Sequence, residues 1–174
     1  MIRNAAVNNW DLLGLEDRNH FAVGSDIYNR AAQQPDAADL IDIHGHGRDN
    51  GNKFEDEQRK GNPYLDEKKV AESVDKARER KQGGTCVKLW ACETGKGSNT
   101  LAQRLANELG IPVIAPTELI WYPSNGTVCV VAKPDPSDSN RPSKAPADQG
   151  SCKTFFPAGT SASDFPLPAG GFPR

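Results

Sequence analysis

The chain predicts an α/β sandwich with a mostly parallel central sheet, and three observations carry that expectation. Apolar runs at 39–44, 85–91 and 111–115 read as core strands. The stretches 63–81 and 98–109 between them place apolar residues at helical spacing, and glycine closes both helices. Strand and helix alternating over short connections is the pattern of parallel strands covered by crossover helices, with ligands bound outside the carboxyl ends of the strands. A length of 174 residues suits one full-sized domain with appendages.

The elements follow in order. Residues 1–18 read as a linker, with turn formers ahead of the short apolar group Leu12-Leu13. Phe21-Ala22-Val23 predicts a short strand, and Ser25 an N-cap for a helix that Pro35 ends. Asp39 to His44 is the first clear core strand; Asp42 interrupts it and needs a partner if both faces are buried. Arg48 to Asn62 is polar and glycine-punctuated, which predicts a long surface loop beside the histidines. In the next helix Val70, Val74 and Ala77 form the apolar stripe, and its charged residues form a solvated face. Gly83-Gly84 precedes the strand Thr85 to Ala91, and the helix Ser98 to Leu109 stops at Gly110 before the strand Ile111 to Ala115. Glu118 to Tyr122 and Thr127 to Lys133 predict a hairpin joined through Pro123-Ser124-Asn125-Gly126. The α/β domain is thus expected over 19–133. The extension 134–174 holds 8 of the 13 prolines and is expected to be irregular, apart from an edge strand at 152–156.

Composition narrows the function. A net charge of -2, from 21 basic and 23 acidic side chains, gives no electrostatic case for nucleic acid or an anionic membrane as partner. No apolar run approaches the roughly 20 residues that span a bilayer, and the polar start Ile2-Arg3-Asn4 does not read as a signal peptide. Four cysteines are too few for a disulfide scaffold, so free thiols are expected.

The chemistry-bearing stretches are two strand ends. Leu40-Ile41-Asp42-Ile43-His44-Gly45-His46-Gly47 delivers histidines, and Val87-Lys88-Leu89-Trp90-Ala91-Cys92-Glu93-Thr94-Gly95 delivers a thiol to a glycine turn. A thiol attacks as thiolate, so it needs a base nearby, and imidazole is the usual one. Backbone N–H groups in such turns can hold the oxyanion that forms at an attacked carbonyl. Neighbouring parallel strands lie about 5 Å apart, close enough for groups at their ends to meet across a substrate. Cys86, Cys129 and Cys152 lack a glycine turn or nearby histidine and read as core or incidental thiols, and His20 as a surface or packing residue.

The two blocks resemble the active-site blocks of the caspase-like cysteine peptidases, an apolar strand ending in Gly-His-Gly and then one ending in Ala-Cys-x-x-Gly. The resemblance spans Asp39 to Thr117. It implies a caspase-like three-layer sandwich, no cofactor, a protein substrate and Cys-His catalysis through an acyl-enzyme. By motif, Cys92 is the nucleophile, His46 the proton acceptor and donor, and the backbone of Gly47 and Cys92 the oxyanion hole. His44, itself followed by glycine, is the alternative base, and Asp42 either orients a histidine or makes a structural hydrogen bond. Departures are the few strands ahead of the histidine block and the lack of a recognisable side-chain pocket for substrate.

A second resemblance lies in Asn8-Asn9 and Asp11-Leu12-Leu13-Gly14-Leu15, which is similar to the exit of the Rhs-type polymorphic toxin core, with Leu12 where that family has proline. It implies a C-terminal toxin domain delivered by a carrier Rhs secretion protein into the cytoplasm of a target cell, with a cognate immunity protein in the producer. Two other classes remain open. His44 and His46, with Asp49 and Cys92, could form the ligand set of a metal-dependent hydrolase. The chain could also be a binding module that keeps the fold without catalysis.

Overall fold

In the computed structural model the described residues are 18–35, 37, 39–81, 84–122, 128–131 and 150–166. The linker with its Rhs-like stretch, apart from Arg18, lies outside them, as do the hairpin turn 123–127 and most of the C-terminal extension.

The chain runs β1 (Arg18–Asn19), α1 (Asp26–Ala31), β2 (Leu40–His44), β3 (His46–Arg48), β4 (Lys53–Glu55), β5 (Tyr64–Leu65), α2 (Glu67–Arg80), β6 (Cys86–Trp90), α3 (Leu101–Leu109), β7 (Val113–Pro116), β8 (Leu119–Trp121), β9 (Cys129–Val131) and β10 (Cys152–Phe155). A five-stranded sheet in the order β1-β2-β6-β7-β10 organises it, parallel except for β10, which runs antiparallel to β7 at the edge. The fold is mixed α/β with a mostly parallel sheet, compatible with an α/β sandwich.

Alternation along the strands decides what each face buries. Ile41 and Ile43 of β2, Val87 and Leu89 of β6, and Val113 and Ala115 of β7 share one core with Val70, Val74 and Ala77 of α2 and Leu101 and Leu105 of α3. The two crossovers β2-α2-β6 and β6-α3-β7 step in the same direction across the sheet, so connections of the same hand put both helices on this face. On the other face Trp90 packs with Phe21, Ala31, Tyr122, Val128 and Val130, so α1 and the β8–β9 hairpin cover it.

Caps set the helix bounds. Ser25 accepts from the Tyr28 N–H, Asp66 from Lys69 and Thr100 from Gln103, each satisfying an otherwise orphaned first-turn donor. Gly110 adopts the left-handed conformation, φ 67°, that ends α3.

Two expectations are corrected. The first strand is Arg18–Asn19 rather than Phe21-Ala22-Val23. The Asn19 side chain accepts from the Phe21 N–H and donates to the Tyr28 carbonyl, turning the chain so that Phe21 is buried from a bend while Val23 stays exposed. The stretch 48–62, expected as a long loop, contains β4, which pairs with β3 before it and β5 after it in a small antiparallel sheet. Its turn runs through Asp49, Asn50 and Gly51, all at positive φ, and Phe54 anchors it in the core. A Cβ on Gly45 would strike the Phe54 ring, so this glycine is what lets β4 close over the end of β2.

Candidate active site

The sheet register brings the two sequence blocks side by side. β2 pairs with β6 from Leu40 opposite Cys86 to His44 opposite Trp90, and the Gly45 N–H extends the pairing to the Trp90 carbonyl at 3.1 Å. Beyond that point both chains leave the sheet at its carboxyl end. Gly47 lies against Cys92 so closely that a Cβ on it would overlap the Cys92 carbonyl. Gly51 sits in the same way against the Glu93 carbonyl. The β3–β4 hairpin is therefore seated backbone to backbone on the turn that carries the thiol, and Glu93 takes φ 59° in that turn.

Cys92 is half-buried. The Ile120 N–H, from β8, points at its sulfur at 3.4 Å. Burial raises the thiol above its ordinary value; the Ile120 N–H opposes that rise and the Glu93 charge adds to it. The neutral thiol is thus the resting form.

His46 opens β3 and is also partly buried. Its Nε2 lies 3.4 Å from Glu57 Oε1, and Phe21 packs edge to face on the ring with centroids 4.8 Å apart. Burial lowers its pKa; Glu57 opposes that shift, and Arg48 reinforces it. Among the described residues no hydrogen bond joins His46 to Cys92; the backbone contact of Gly47 with Cys92 sets their strand ends side by side, and both groups are neutral.

The other predicted residues are placed elsewhere. His44 is fully buried beneath the hairpin, stacked on Trp90, with Nδ1 hydrogen-bonded to Tyr122 Oη at 2.7 Å. Burial holds its pKa down at about 3, so it is a neutral core residue and a poor candidate for the alternative base. Asp42 accepts the Trp90 indole N–H at 2.7 Å, which is the structural hydrogen bond of the two roles open to it. Thr117, one residue past β7 at the same end of the sheet and not among those predicted, is bonded to Ser151. The His44 and His46 rings diverge, one to Tyr122 and one to Glu57, and among the described residues no three His, Cys, Asp or Glu side chains are grouped to hold a metal. Cys86 is buried with its thiol pushed up to about 12, and Cys152 packs at the margin of the hairpin core.

Sequence reasoning missed Glu57, Phe21, Ile120 and the role of His20. His20 is buried, with Nδ1 3.1 Å from Asp56 Oδ2 and its N–H bonded to the His44 carbonyl. No spacing signal could have found these residues, since each meets the site across a turn or from another element.

No helix among the described residues is long and apolar enough to cross a membrane. No curated protein and no solved structure matches the chain. Residues 16–130, more than half of the chain, match the family model described as a domain of unknown function (DUF8616). The match takes in both strand ends of the site and stops before β10, and on its extent the chain belongs to the DUF8616 domain family.

Proposed function

We propose that this domain is a caspase-like cysteine endopeptidase in which Cys92 attacks the peptide carbonyl and His46 handles the proton. The observation that carries this reading is the seating of Gly47 on Cys92, where any side chain would separate the histidine-bearing strand end from the thiol. Fold class supports it, because the two groups leave adjacent parallel strands at the carboxyl end of the sheet, where open α/β sheets bind ligands.

The chemistry follows from two neutral partners. His46 takes the proton from Cys92 Sγ as the sulfur attacks, and the electron pair left on sulfur forms the new S–C bond. The carbonyl oxygen gains the charge, which backbone N–H groups around Gly47 and Cys92 stabilise. The imidazolium then gives its proton to the leaving amine, and a water activated by the same imidazole releases the acyl group. A thiol raised by burial is not a preformed thiolate, so proton transfer accompanies attack once substrate closes the gap between the two side chains.

The biological setting we propose is that of a bacterial toxin domain, delivered by an Rhs-type carrier into a target cell and held in check by an immunity protein in the producer. The Asn8 to Leu15 stretch supports that part. Expression of the wild type and of Cys92→Ala in bacteria tests both levels. Growth arrest with new protein fragments in the wild type alone is expected; the same arrest with Cys92→Ala would overturn the reading.

A further inference from the structure

The His46 ring is held from two sides, by the edge of Phe21 and by the Glu57 carboxylate. That carboxylate is itself tied down. Glu57 Oε2 accepts the Ala22 N–H at 2.7 Å, and the Glu57 N–H donates to the His20 carbonyl at 2.9 Å. Its neighbours are pinned to the same segment: Asp56 meets His20 Nδ1, and the Gln58 amide donates to the Asn19 and Phe21 carbonyls. Five contacts thus lock the strand-to-helix turn at 19–22 against residues 56–58, and the second carboxylate oxygen, Glu57 Oε1, faces the imidazole.

We infer that Glu57 is the positioning residue of the site, accepting Nε2–H of His46 and leaving Nδ1 as the nitrogen that removes the thiol proton. This rests on the peptidase reading and deepens it. In the step assigned to Nδ1, the Sγ–H bond breaks, an Nδ1–H bond forms, and the pair of electrons stays on sulfur. The resulting imidazolium keeps its Nε2–H on the carboxylate, whose charge stabilises it. The other charges facing His46 come from its own small sheet: Arg48 and Glu55, which pair with each other and so largely cancel. Phe21, edge to face with the ring, brings no charge. Glu57 is the remaining anion, and among the described residues its carboxylate has no cationic partner besides His46.

The test is an NMR titration of the His46 ring in the full chain, for the wild type, Glu57→Gln and Glu57→Asp, with circular dichroism as the fold control. Removing the charge in Glu57→Gln is expected to lower the His46 pKa by roughly 0.5–1 unit, less than for a buried pair because the site is partly solvated. The nitrogen shifts are expected to show the Nε2–H tautomer in the wild type and a mixture in Glu57→Gln. Glu57→Asp, which keeps the charge, is expected to lie nearer the wild type and serves as second variant should Glu57→Gln not fold. On a cleavable peptide, Glu57→Gln is expected to lower kcat at least 10-fold with little change in KM. An unchanged His46 titration and tautomer in a folded Glu57→Gln overturns the inference. The titration needs no turnover, so its failure leaves the peptidase reading standing, and an inert Cys92 leaves the Glu57–His46 coupling measurable.

Discussion

At Cys92 two effects oppose each other. Burial favours the uncharged thiol, while the Ile120 N–H aimed at the sulfur favours the thiolate, and burial prevails. Alkylation of Cys92 by iodoacetamide is therefore expected to keep accelerating as pH passes 9.0, the ordinary thiol value, and a plateau near neutrality would mean a preformed ion pair instead. His46→Ala is expected to slow peptide cleavage by roughly 10²–10⁴-fold, the usual range for a lost general base. His44 makes a different prediction, about stability. Its folded pKa of about 3 lies below the ordinary 6.5, so between those values the unfolded chain binds more protons than the folded one. Stability is then complete above 6.5 and falls by on the order of 4 kcal/mol as pH drops towards 3. Asp56, whose pKa is also lowered by its His20 partner despite its own burial, adds its loss only below its ordinary value of 3.8. Urea midpoints that stay flat from pH 6.5 to 4 would contradict the burial of His44 as a neutral group.

Among the elements, those that carry an apolar run or a cap were legible in the sequence, the short β8–β9 hairpin and β10 included, and β1 and the β3–β5 sheet were not. β2, β6, α2 and α3 carry enough apolar residues at one period to declare themselves, and Ser25 announced α1 as an N-cap. The β3–β5 sheet left no such trace, because its two- and three-residue strands stand in a polar, glycine-punctuated stretch and only Phe54 and Leu65 anchor them in the core. The same limit applies to the site. Cys92 and His46 were readable because each ends an apolar run at glycine. Glu57 was not, since it stands in a polar stretch and meets its partner only after β3 and β4 fold back. Asp42 was ambiguous for a related reason: its Trp90 partner lies on the next strand of the sheet, far away in sequence. The hairpin's seating on the thiol turn gives a test at this scale. Gly47→Ala would drive a methyl group into the Cys92 carbonyl, with an expected cost of about 1–3 kcal/mol and loss of cleavage. Unchanged stability and activity in that variant would mean that the two backbones are not in contact.

For the molecule as a whole, the family match ends at residue 130 while the sheet does not. β10 returns from the extension to pair with β7 from Cys152 opposite Pro116 to Phe155 opposite Val113, and Phe155 packs on the main core. Deleting residues from 150 onward exposes the β7 edge and is expected to lower Tm by roughly 5 °C or more, given about 2–4 °C per kcal/mol at this size. Equal melting of the truncated and full chains would show that β10 contributes nothing to stability. The proposed chemistry rests on one sulfur, that of Cys92. Its most direct test is to incubate a bacterial lysate with purified wild-type protein or with folded Cys92→Ala and to map the protein N-termini that appear. A set of new internal N-termini is expected with the wild type and none with Cys92→Ala; the same set with both proteins would mean that Cys92 is not the nucleophile.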